Sequence, residues 1–261
     1  MKVQRFRQKV TQGQTVVGHT LTEFATRGVP QLLDAAGLDF VLLDMEHASL
    51  TTAQVADVLS WCRGSGLTPL VRVPHRQGHL IGWALDAGAL GILAPHVETA
   101  EEARGLVGQM KYAPQGQRGV ALFGPHTAYR TVEPVEHMAE ANRQTLAVCM
   151  IESEQGLAHA AEIADTPGVD MLWVGYADLT QSLGLIAQHE HPRVVGALQQ
   201  VVDAARRHGL PAGIQARSVA QARTLRDLGF GVIAYATDVA VYGQALTSAA
   251  AALREPSLDA P

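Results

Sequence analysis

Two acidic residues follow two apolar runs of the sequence that have the character of buried strands. Glu152 comes directly after Leu146–Ile151, and Asp178 comes shortly after Met171–Gly175. A buried carboxylate is costly unless it is paired, protonated or bound to a metal. Carboxyl ends of neighbouring parallel strands meet at one rim, and Mg²⁺ and Mn²⁺ prefer oxygen ligands, so the spacing predicts a divalent-metal site. Taken singly, each residue also has a structural explanation: Glu152 as the start of a helix and Asp178 as an N-cap.

Another strand-like run, Phe40–Asp44, ends close to a histidine. Asp44 stands three residues before His47, and a carboxylate at that distance can orient an imidazole ring and stabilise its cationic form. Such a pair has the character of a general acid or base. The alternative is that His47 is a loop histidine with a local hydrogen bond.

Arg72 is a charged residue inside the apolar run Pro69–Val73. A guanidinium within a buried strand requires an anionic partner. Inside a barrel, that partner is expected to be a substrate carboxylate or the pair Glu152 and Asp178. On an edge strand, the arginine would instead face solvent. The combination of these residues is far more specific than any one of them.

The elements that position these residues alternate along the chain. Eight short apolar runs alternate with eight segments of helical period, which is the pattern of βαβ units around a parallel sheet. The predicted strands are Val16–Thr20, Phe40–Asp44, Pro69–Val73, Gly91–Pro95, Leu146–Ile151, Met171–Gly175, Pro211–Gln215 and Gly231–Ala236. The predicted helices are Phe24–Ala36, Thr52–Arg63, Gly78–Ala87, Ala100–Lys111, Gln155–Ala164, Arg193–His208, Val219–Leu228 and Asp238–Leu253. Strict alternation, with polar residues at four strand ends, favours a closed (β/α)₈ TIM barrel over a doubly wound sheet, which would bind its ligand at one switch point.

The length of the chain fits one such barrel. The 261 residues are close to the roughly 250 typical of this fold, so residues 1–261 are expected to form a single domain. The long connection from Tyr112 to Gln144 is expected to contain a short extra helix, Pro134–Asn142. The tail Glu255–Pro261 is expected to fray.

The composition is that of an ordinary α/β protein that acts on small molecules. Hydrophobic residues make up 47% of the chain, charged residues 17%, and the net charge is −5. Basic residues are scattered rather than clustered, which argues against nucleic acid or an anionic membrane as a partner. No apolar stretch is long enough to cross a bilayer, so a cytoplasmic location is expected.

Five segments, in the same order, carry a resemblance to a known family. They are Asp39–His47, Leu85–Gly91, Lys111–Gly119, Ile151–Glu152 and Val174–Gly184, and the resemblance as a whole runs from about Gly18 to Gly243. These segments resemble the metal-dependent class II pyruvate aldolases of the 2,4-dihydroxyhept-2-ene-1,7-dioate aldolase type. The resemblance implies a (β/α)₈ barrel whose last helix packs on a neighbouring subunit, in a hexamer of three dimers.

The resemblance also implies a role for each candidate residue. Glu152 and Asp178 would hold the metal, Mg²⁺ or Mn²⁺, with Co²⁺ or Zn²⁺ as alternatives. Arg72 would bind pyruvate and stabilise its enolate. Asp44 and His47 would form the acid/base dyad.

Further residues match positions that contact the substrate or a partner subunit. Asp86 matches a carboxylate that reaches the active site of the adjacent subunit, and Gly175, Tyr176 and Ala177 match the turn beside the substrate. Met150 stands where the family usually has glutamine, which removes a hydrogen-bond donor to the bound oxo acid. Tyr176 stands where proline is usual. These departures are expected to change the substrate range rather than the type of reaction.

The reaction implied by the resemblance is the making and cleaving of 4-hydroxy-2-oxo acids from a metal-bound 2-oxo acid enolate and an aldehyde. No lysine lies at a predicted strand end, which argues against a Schiff-base mechanism. The sequence does not choose between His47 and a metal-bound water as the immediate base. Two alternatives stay open: a lyase acting on an acyl-CoA or phosphoenolpyruvate, and a non-catalytic barrel subunit, which the joint presence of these residues disfavours.

Overall fold

The strands of the protein form the closed barrel that the sequence predicts. The computed structural model describes residues 2–254, so the tail expected to fray, Glu255–Pro261, lies outside the described residues. Eight parallel strands pair in chain order, and the last pairs with the first. They are β1 Val16–Leu21, β2 Phe40–Asp44, β3 Thr68–Arg72, β4 Gly91–Ala94, β5 Leu146–Ile151, β6 Met171–Val174, β7 Ala212–Ala216 and β8 Val232–Thr237. Every predicted strand is present, with ends within one residue of the predicted ones, and the (β/α)₈ barrel is confirmed.

Helices precede, connect and follow these strands. They are α1 Lys2–Thr11, α2 Val29–Ala35, α3 Thr52–Cys62, α4 His79–Ala87, α5 Ala100–Met110, α6 Pro134–Gln144, α7 Glu154–Ala158, α8 Ala160–Ala164, α9 Tyr176–Ser182, α10 Pro192–Arg207, α11 Val219–Leu228 and α12 Asp238–Arg254. The extra helix predicted in the long connection is α6. The single helix predicted at Gln155–Ala164 is divided into α7 and α8, because His159 leaves the helical conformation between them, with its Nδ1 2.9 Å from the Glu98 carbonyl oxygen.

Alternate residues of each strand fill the interior of the barrel. On β5, Leu146, Val148 and Met150 belong to the interior cluster, while the residues between them belong to the layer beneath the helices. The other strands contribute interior side chains in the same way, among them Phe40, Leu42, Leu70, Leu93, Met171, Trp173 and Val232. Since side chains of a strand alternate between its two faces, this period of two also fixes which residue at each strand end points into the mouth of the barrel.

A helix that the sequence analysis did not predict closes the amino-terminal end of the barrel. α1 buries Val3 and Phe6 in the interior cluster, and the Phe6 ring lies edge to face with Phe40, 6.2 Å between centroids. Lys9 forms an ion pair with Asp39, the residue before β2. Four of the ten residues of α1 are Lys or Arg, so its one apolar face is too narrow to stand out in the sequence.

The segment that follows β1 is held by Asp238, the first residue of α12. The Asp238 carboxylate accepts hydrogen bonds from the backbone N–H groups of Thr22, Glu23 and Phe24, at 2.7–3.1 Å, and from the Thr22 hydroxyl at 2.6 Å. These residues therefore turn instead of starting the helix predicted from Phe24, and α2 begins only at Val29. Burial alone would raise the pKa of Asp238, but the Thr22 hydroxyl and the three N–H groups outweigh burial and lower the pKa.

The last helix stands on the barrel with little cover from the rest of the chain. α12 has 17 residues, and Asp238 is its one buried residue. Its exposed apolar side chains are Val239, Val241, Tyr242, Leu246 and Leu253. An apolar surface of this kind is unfavourable in water and typical of a protein interface. Among the described residues, no helix is both long and apolar enough to span a membrane.

The Asp238 contacts predict a pH-dependent loss of stability in the variant Asp238→Asn. We expect the free energy of unfolding at pH 7 to fall by about 1–3 kcal/mol, because the variant loses the negative charge that accepts hydrogen bonds from three N–H groups and the Thr22 hydroxyl. The folded-state pKa of Asp238 is lowered, so its contribution is present above the unfolded pKa of about 3.9 and is lost as the pH falls through the folded pKa. Denaturant unfolding at pH 7 and pH 3 should therefore show a smaller difference from wild type at pH 3 than at pH 7.

A matched control is Asp227→Asn, which changes an exposed aspartate of α11 that pairs with the adjacent Arg226. Its free energy of unfolding should stay within about 0.5 kcal/mol of wild type at both pH values. A loss of equal size at pH 3 and pH 7 in Asp238→Asn would show that the carboxylate charge is not the cause.

Candidate active site at the carboxyl ends of the strands

The alternation of side chains along β2 and β3 places an ion pair in the mouth of the barrel. Asp44 and Arg72 end β2 and β3, are register partners, and stand two residues beyond Leu42 and Leu70 of the interior cluster. Both side chains therefore point inward. Arg72 Nε donates to Asp44 Oδ1 at 2.8 Å, and Arg72 Nη2 donates to Asp44 Oδ2, so the pair is bidentate.

Arg72 has a second anionic neighbour. Its Nη1 lies 3.2 Å from Glu46 Oε2. The predicted partner of this arginine is a substrate carboxylate or the pair Glu152 and Asp178, but in the structure its partners are Asp44 and Glu46. Only 16% of the Arg72 side chain is exposed, so the two carboxylates compensate a largely desolvated charge. Burial would lower the pKa of Arg72, but these carboxylates raise it.

Asp44 is an ionised group rather than a carrier of protons. Burial would raise its pKa, but the hydrogen bond and charge of Arg72, together with two backbone N–H groups, lower the pKa below its ordinary value. The two N–H groups belong to Glu46 and His47, at 2.9 and 3.3 Å from Asp44 Oδ1. A carboxylate with a lowered pKa stays charged through the neutral range, so its contribution to the site is electrostatic.

His47 lies at the edge of the mouth with 63% of its side chain exposed. The expected contact between the Asp44 carboxylate and the His47 ring is replaced by the bond to the His47 backbone N–H, because Arg72 engages both oxygens of Asp44. The nearest approach of the ring to an acid is 3.8 Å, from Nε2 to Glu46 Oε2. An exposed imidazole of this kind can still take or give a proton at the mouth.

Glu152 is oriented by His96. The His96 backbone N–H donates to Glu152 Oε1 at 2.6 Å, and His96 Nδ1 lies 3.0 Å from the same oxygen. Gly175, just beyond the neighbouring β6, has no room for a side chain: a Cβ there would lie 2.7 Å from Glu152 Cβ and 3.0 Å from Met150 Sδ, and would come closest of all to Glu152 Oε2. The glycine therefore provides the space in which the second oxygen of Glu152 lies.

The charge of Glu152 is poorly compensated by the protein. Burial raises its pKa, the N–H and ring of His96 lower it, and the negative charges of Glu46 and Asp178 raise it further, with a raised pKa as the result. Asp178 lies in the first turn of α9 and is half-buried. A carboxylate in this state, beside two other acids, is what a bound cation would stabilise.

The residues present fit a divalent cation that has few protein ligands. Within residues 2–254, no group of three or more His, Cys, Asp or Glu side chains is arranged to hold a metal. The two carboxylates of Glu152 and Asp178 suit an ion of the Mg²⁺ type, which takes most of its ligands from water and substrate. In addition, Glu46 Oε2 is buried and accepts no hydrogen bond from the described residues, although Arg72 Nη1 lies 3.2 Å away, so Glu46 adds negative charge close to Glu152.

Two residues of this site, Glu46 and His96, are not among the candidates that the sequence pattern predicts. Glu46 lies between Asp44 and His47, and His96 follows β4 by two residues. His96 has a φ of 53°, a left-handed conformation that residues with side chains rarely adopt, and in this conformation its N–H meets Glu152. Its Nε2 also lies 3.4 Å from Glu46 Oε1. The signal that identified Glu152, a polar residue just beyond a buried strand, applies equally to His96.

Asp86 lies far from this group. It is near the carboxyl end of α4, and since each helix returns antiparallel to its strand, that end is at the amino-terminal side of the barrel. Arg118 Nη2 donates to Asp86 Oδ1 at 2.6 Å, and the Arg118 side chain is 3% exposed. A cavity of about 570 Å³ adjoins this pair, between α3, α4 and α6. A role for Asp86 at an active site therefore requires a second subunit.

Met150 and Tyr176, the two departures from the family pattern, lie in different surroundings. Met150 is buried in the interior cluster and forms an apolar floor beneath Gly175. The Tyr176 ring packs against the outer core, 4.7 Å from the His189 ring, and its hydroxyl donates to the His189 carbonyl oxygen at 3.3 Å. Ala177 is exposed in the first turn of α9. Of these residues, Met150 is the one whose side chain underlies the mouth.

Comparison with known proteins decides the family. Residues 29–245, most of the chain, match the family model described as HpcH/HpaI aldolase/citrate lyase. The chain belongs to this family. Its similarity to the 5-keto-4-deoxy-D-glucarate aldolase of Shigella boydii serotype 18 is 36% identity over 215 residues, which cover 82% of this chain and 83% of that protein. An enzyme of the class II aldolase type is thereby confirmed.

Solved structures of HpcH/HpaI proteins share the whole barrel. The HpcH/HpaI aldolase from Desulfitobacterium hafniense DCB-2 superposes with a TM-score of 0.91 at 29% identity, over 98% of both chains. An HpcH/HpaI aldolase/citrate lyase family protein from Burkholderia cenocepacia J2315 superposes with a TM-score of 0.89 at 32% identity, over 96% of this chain and 99% of the other. The narrower expectation, the 2,4-dihydroxyhept-2-ene-1,7-dioate aldolase type, stays a prediction.

The close approach of Glu152 to Gly175 predicts that Gly175→Ala weakens metal binding. The new Cβ would occupy the place of Glu152 Oε2, so the carboxylate must move. We expect the affinity for Mn²⁺, measured by titration calorimetry, to fall about 10- to 100-fold. Gly196→Ala on α10, where a Cβ meets nothing within 4 Å, serves as control and should bind Mn²⁺ like wild type. Unchanged affinity in Gly175→Ala would rule out Glu152 as a ligand in this orientation.

Proposed function

We propose that this protein is a divalent-metal-dependent aldolase that makes and cleaves 4-hydroxy-2-oxo acids from a pyruvate-type 2-oxo acid and an aldehyde. The observation that carries the proposal is a pair of oppositely charged, rigidly held side chains at the carboxyl ends of β3 and β5. Arg72 is fixed there by Asp44 and Glu46, and Glu152 is fixed by His96. A rigid guanidinium beside a cation site is the combination that binds a 2-oxo acid and stabilises the charge of its enolate.

Glu152 and Asp178 would hold the metal, with Mg²⁺ or Mn²⁺ favoured by an all-oxygen site and Co²⁺ or Zn²⁺ as alternatives. When bound, the ion supplies Lewis acidity, which lowers the cost of removing a proton next to the ketone. The raised pKa of Glu152 and the negative charge of Glu46 close to it support a cation at this place.

Arg72 would bind the oxygens of the 2-oxo acid. Three of its five N–H donors face Asp44 and Glu46, which leaves two for substrate. Because both acids hold the guanidinium before substrate arrives, little ordering remains to be done on binding. Asp44 compensates the charge of Arg72 and, because its pKa is lowered, stays ionised.

His47 would move the proton. In the synthetic direction the proton comes from C3 of the oxo acid, and in cleavage it comes from the C4 hydroxyl. The exposed ring can pass it to solvent. A water in the site is the alternative immediate base, with His47 as the group that receives its proton.

The substrate within this class is a further proposal. The sequence resemblance favours 2,4-dihydroxyhept-2-ene-1,7-dioate, whereas the Shigella boydii relative is named for 5-keto-4-deoxy-D-glucarate. In either compound, cleavage would break the bond between the CH₂ next to the ketone and the hydroxyl-bearing carbon. The products would be pyruvate and an aldehyde that carries a carboxylate: succinic semialdehyde from the first compound and tartronic semialdehyde from the second. Assays with these two aldehydes separate the two substrates.

The proposal predicts metal-dependent exchange of the methyl protons of pyruvate in deuterated water, without any aldehyde. Each enolisation exposes C3 to solvent deuterons, so proton NMR should show the methyl signal decline when Mg²⁺ or Mn²⁺ is present. A chelator should stop the decline. No exchange with any of several 2-oxo acids would favour an acyl-CoA lyase, the second candidate that the family description includes, and binding of CoA would then test it.

Two variants separate the roles of residues in this exchange. Glu152→Gln should lose Mn²⁺ binding and exchange together, because it removes a charged ligand. His47→Ala should slow exchange by about 10²- to 10⁴-fold while its Mn²⁺ affinity stays within about twofold of wild type. Equal loss of affinity and exchange in His47→Ala would remove its assigned role, and an active, metal-free Glu152→Gln protein would overturn the scheme.

We further propose that α12 packs on a neighbouring subunit of a homo-oligomer, a hexamer of three dimers. The exposed apolar side chains of α12 and the position of Asp86 at the far end of the barrel support this assembly. Asp86 would then reach the active site of the adjacent subunit.

The proposed assembly predicts that Leu246→Glu shifts the protein to smaller species. Leu246 is 52% exposed in the single chain, and a charge there would oppose burial in an interface. Gel filtration with light scattering measures the mass. Gln244→Glu adds the same charge to the same helix without removing an apolar side chain and should keep the wild-type mass. A monomeric wild type would exclude the assembly.

A further inference from the structure

A second polar pair lies on the inner wall of the barrel, outside the group described above. The Thr20 hydroxyl, on β1, donates to Gln215 Oε1, on β7, at 2.9 Å. Both residues face inward, because Gly18 and Gly213, two residues earlier on the same strands, face the interior rings of Phe40 and Trp173. Since side chains two residues apart on a strand lie on the same face, Thr20 and Gln215 also point into the barrel.

Gln215 stands beside the space that Gly175 leaves open. Val174 and Ile214 are register partners of β6 and β7, so Gly175 and Gln215 are neighbours one residue further along. On the other side of Gly175 lies Glu152, whose Oε2 is close to the glycine. Glu152, Gly175 and Gln215 therefore lie side by side at three adjacent strand ends. The central residue, Gly175, has no side chain, which leaves space between the other two.

The bond to Thr20 determines which end of the Gln215 amide is available. Oε1 accepts from the Thr20 hydroxyl, so the two N–H donors of Nε2 point elsewhere. In the part of the chain that the structure describes, Nε2 takes part in no hydrogen bond, and Gln215 is half-buried, open to the mouth. An amide held by its oxygen with its donors unengaged is preorganised to bind an acceptor on a ligand.

Gln215 and Arg72 face each other across the barrel. Arg72 ends β3 and Gln215 lies on β7, four strands away in a ring of eight, so they stand on opposite walls. A 2-oxo acid whose carboxylate and ketone oxygens meet Arg72 therefore presents its other end, C3, toward β7. The floor between the walls is Met150, which has no hydrogen to donate.

We propose that Gln215 binds the C3 substituent of the 2-oxo acid and that this enzyme accepts 2-oxo acids with a hydroxyl at C3, of the hydroxypyruvate type. The inference rests on the proposed function and names the substrate class of the same site. Gln215 Nε2 donates to the C3 hydroxyl oxygen, and Thr20 is a positioning residue that holds the amide. A methyl group at C3, as in pyruvate, offers no acceptor, so the half-buried amide bonds water instead and pyruvate still fits, while hydroxypyruvate gains one hydrogen bond that pyruvate lacks.

The test compares three probes, each titrated by calorimetry into the Mg²⁺-loaded protein. Pyruvate and hydroxypyruvate have the same charge and differ by the C3 hydroxyl, while oxalate, which has a carboxylate oxygen in place of C3, reports on the metal site. In Gln215→Leu, we expect about tenfold weaker binding of hydroxypyruvate and little change for pyruvate. Thr20→Val, which keeps the amide but frees it to rotate, should give a smaller loss for hydroxypyruvate. Gln31→Leu, the same exchange on the exposed face of α2, should leave all three affinities unchanged.

The outcomes separate this inference from the function on which it rests. Oxalate binding to both wild type and Gln215→Leu shows that the variant is folded and that the metal site is intact. If hydroxypyruvate then binds the two proteins equally, or if Gln215→Leu weakens pyruvate as much as hydroxypyruvate, the contact with the C3 hydroxyl is excluded while the aldolase proposal stands. If wild type binds no oxalate with Mg²⁺, the proposed function itself fails. In steady-state assays, the expected change in Gln215→Leu is a higher KM for hydroxypyruvate with a smaller change in KM for pyruvate.

Discussion

The alternation of side chains in a closed parallel barrel is the constraint on which the site depends. Closure gives all eight strands a common interior, so every second residue of each strand competes for the same space. The lower rows are filled by apolar side chains and sealed by Phe6 of α1. At the carboxyl ends, the same rows continue as Asp44, Arg72 and Glu152. A shift of one residue in any of these strands would turn its polar side chain into the layer beneath the helices.

Charge compensation then determines which of these side chains is rigid and which is available. Arg72, bound by Asp44 and approached by Glu46, is a desolvated cation with two anions, a stable arrangement by itself. Within residues 2–254, Glu152 has His96 as its single donor and has other acids nearby, so its charge is incompletely compensated. The site therefore consists of a preorganised cation, Arg72, and an anion, Glu152, that gains stability when a metal binds. This asymmetry is the physical basis for assigning the substrate oxygens to Arg72 and the metal to Glu152.

The sequence predicts the strands and several strand-end residues well, because a buried strand followed by a polar residue is a local signal. It does not predict the partner of Arg72, because that choice depends on the register between β2 and β3, which sets Arg72 opposite Asp44. His96 is missed for a related reason: its contact with Glu152 needs a left-handed backbone, which no propensity of histidine suggests.

The remaining differences from prediction have similar long-range causes. The late start of α2 is caused by Asp238, which is distant in sequence, and α1 is recognisable as a structural element only by what it covers. Tyr176 stands out in the sequence pattern, but its ring turns to His189 and the outer core, whereas Met150 remains beneath the site. Side-chain direction beyond a strand end is therefore the part of the site that a single sequence describes least.

The Asp238 carboxylate also has a consequence for the way the barrel assembles. Its bonds to the segment after β1 join residues 214 to 216 positions apart, and the pairing of β8 with β1 spans a comparable separation. Contacts so distant in sequence form only after most of the chain between them is compact, because closing a long loop costs entropy before any contact repays it. The seam between the first and last strands is thus the part of the barrel whose formation depends most on the rest. An early or isolated half of the chain would lack both the closed interior and the fixed loop at its mouth, so the site can be complete only in the closed barrel.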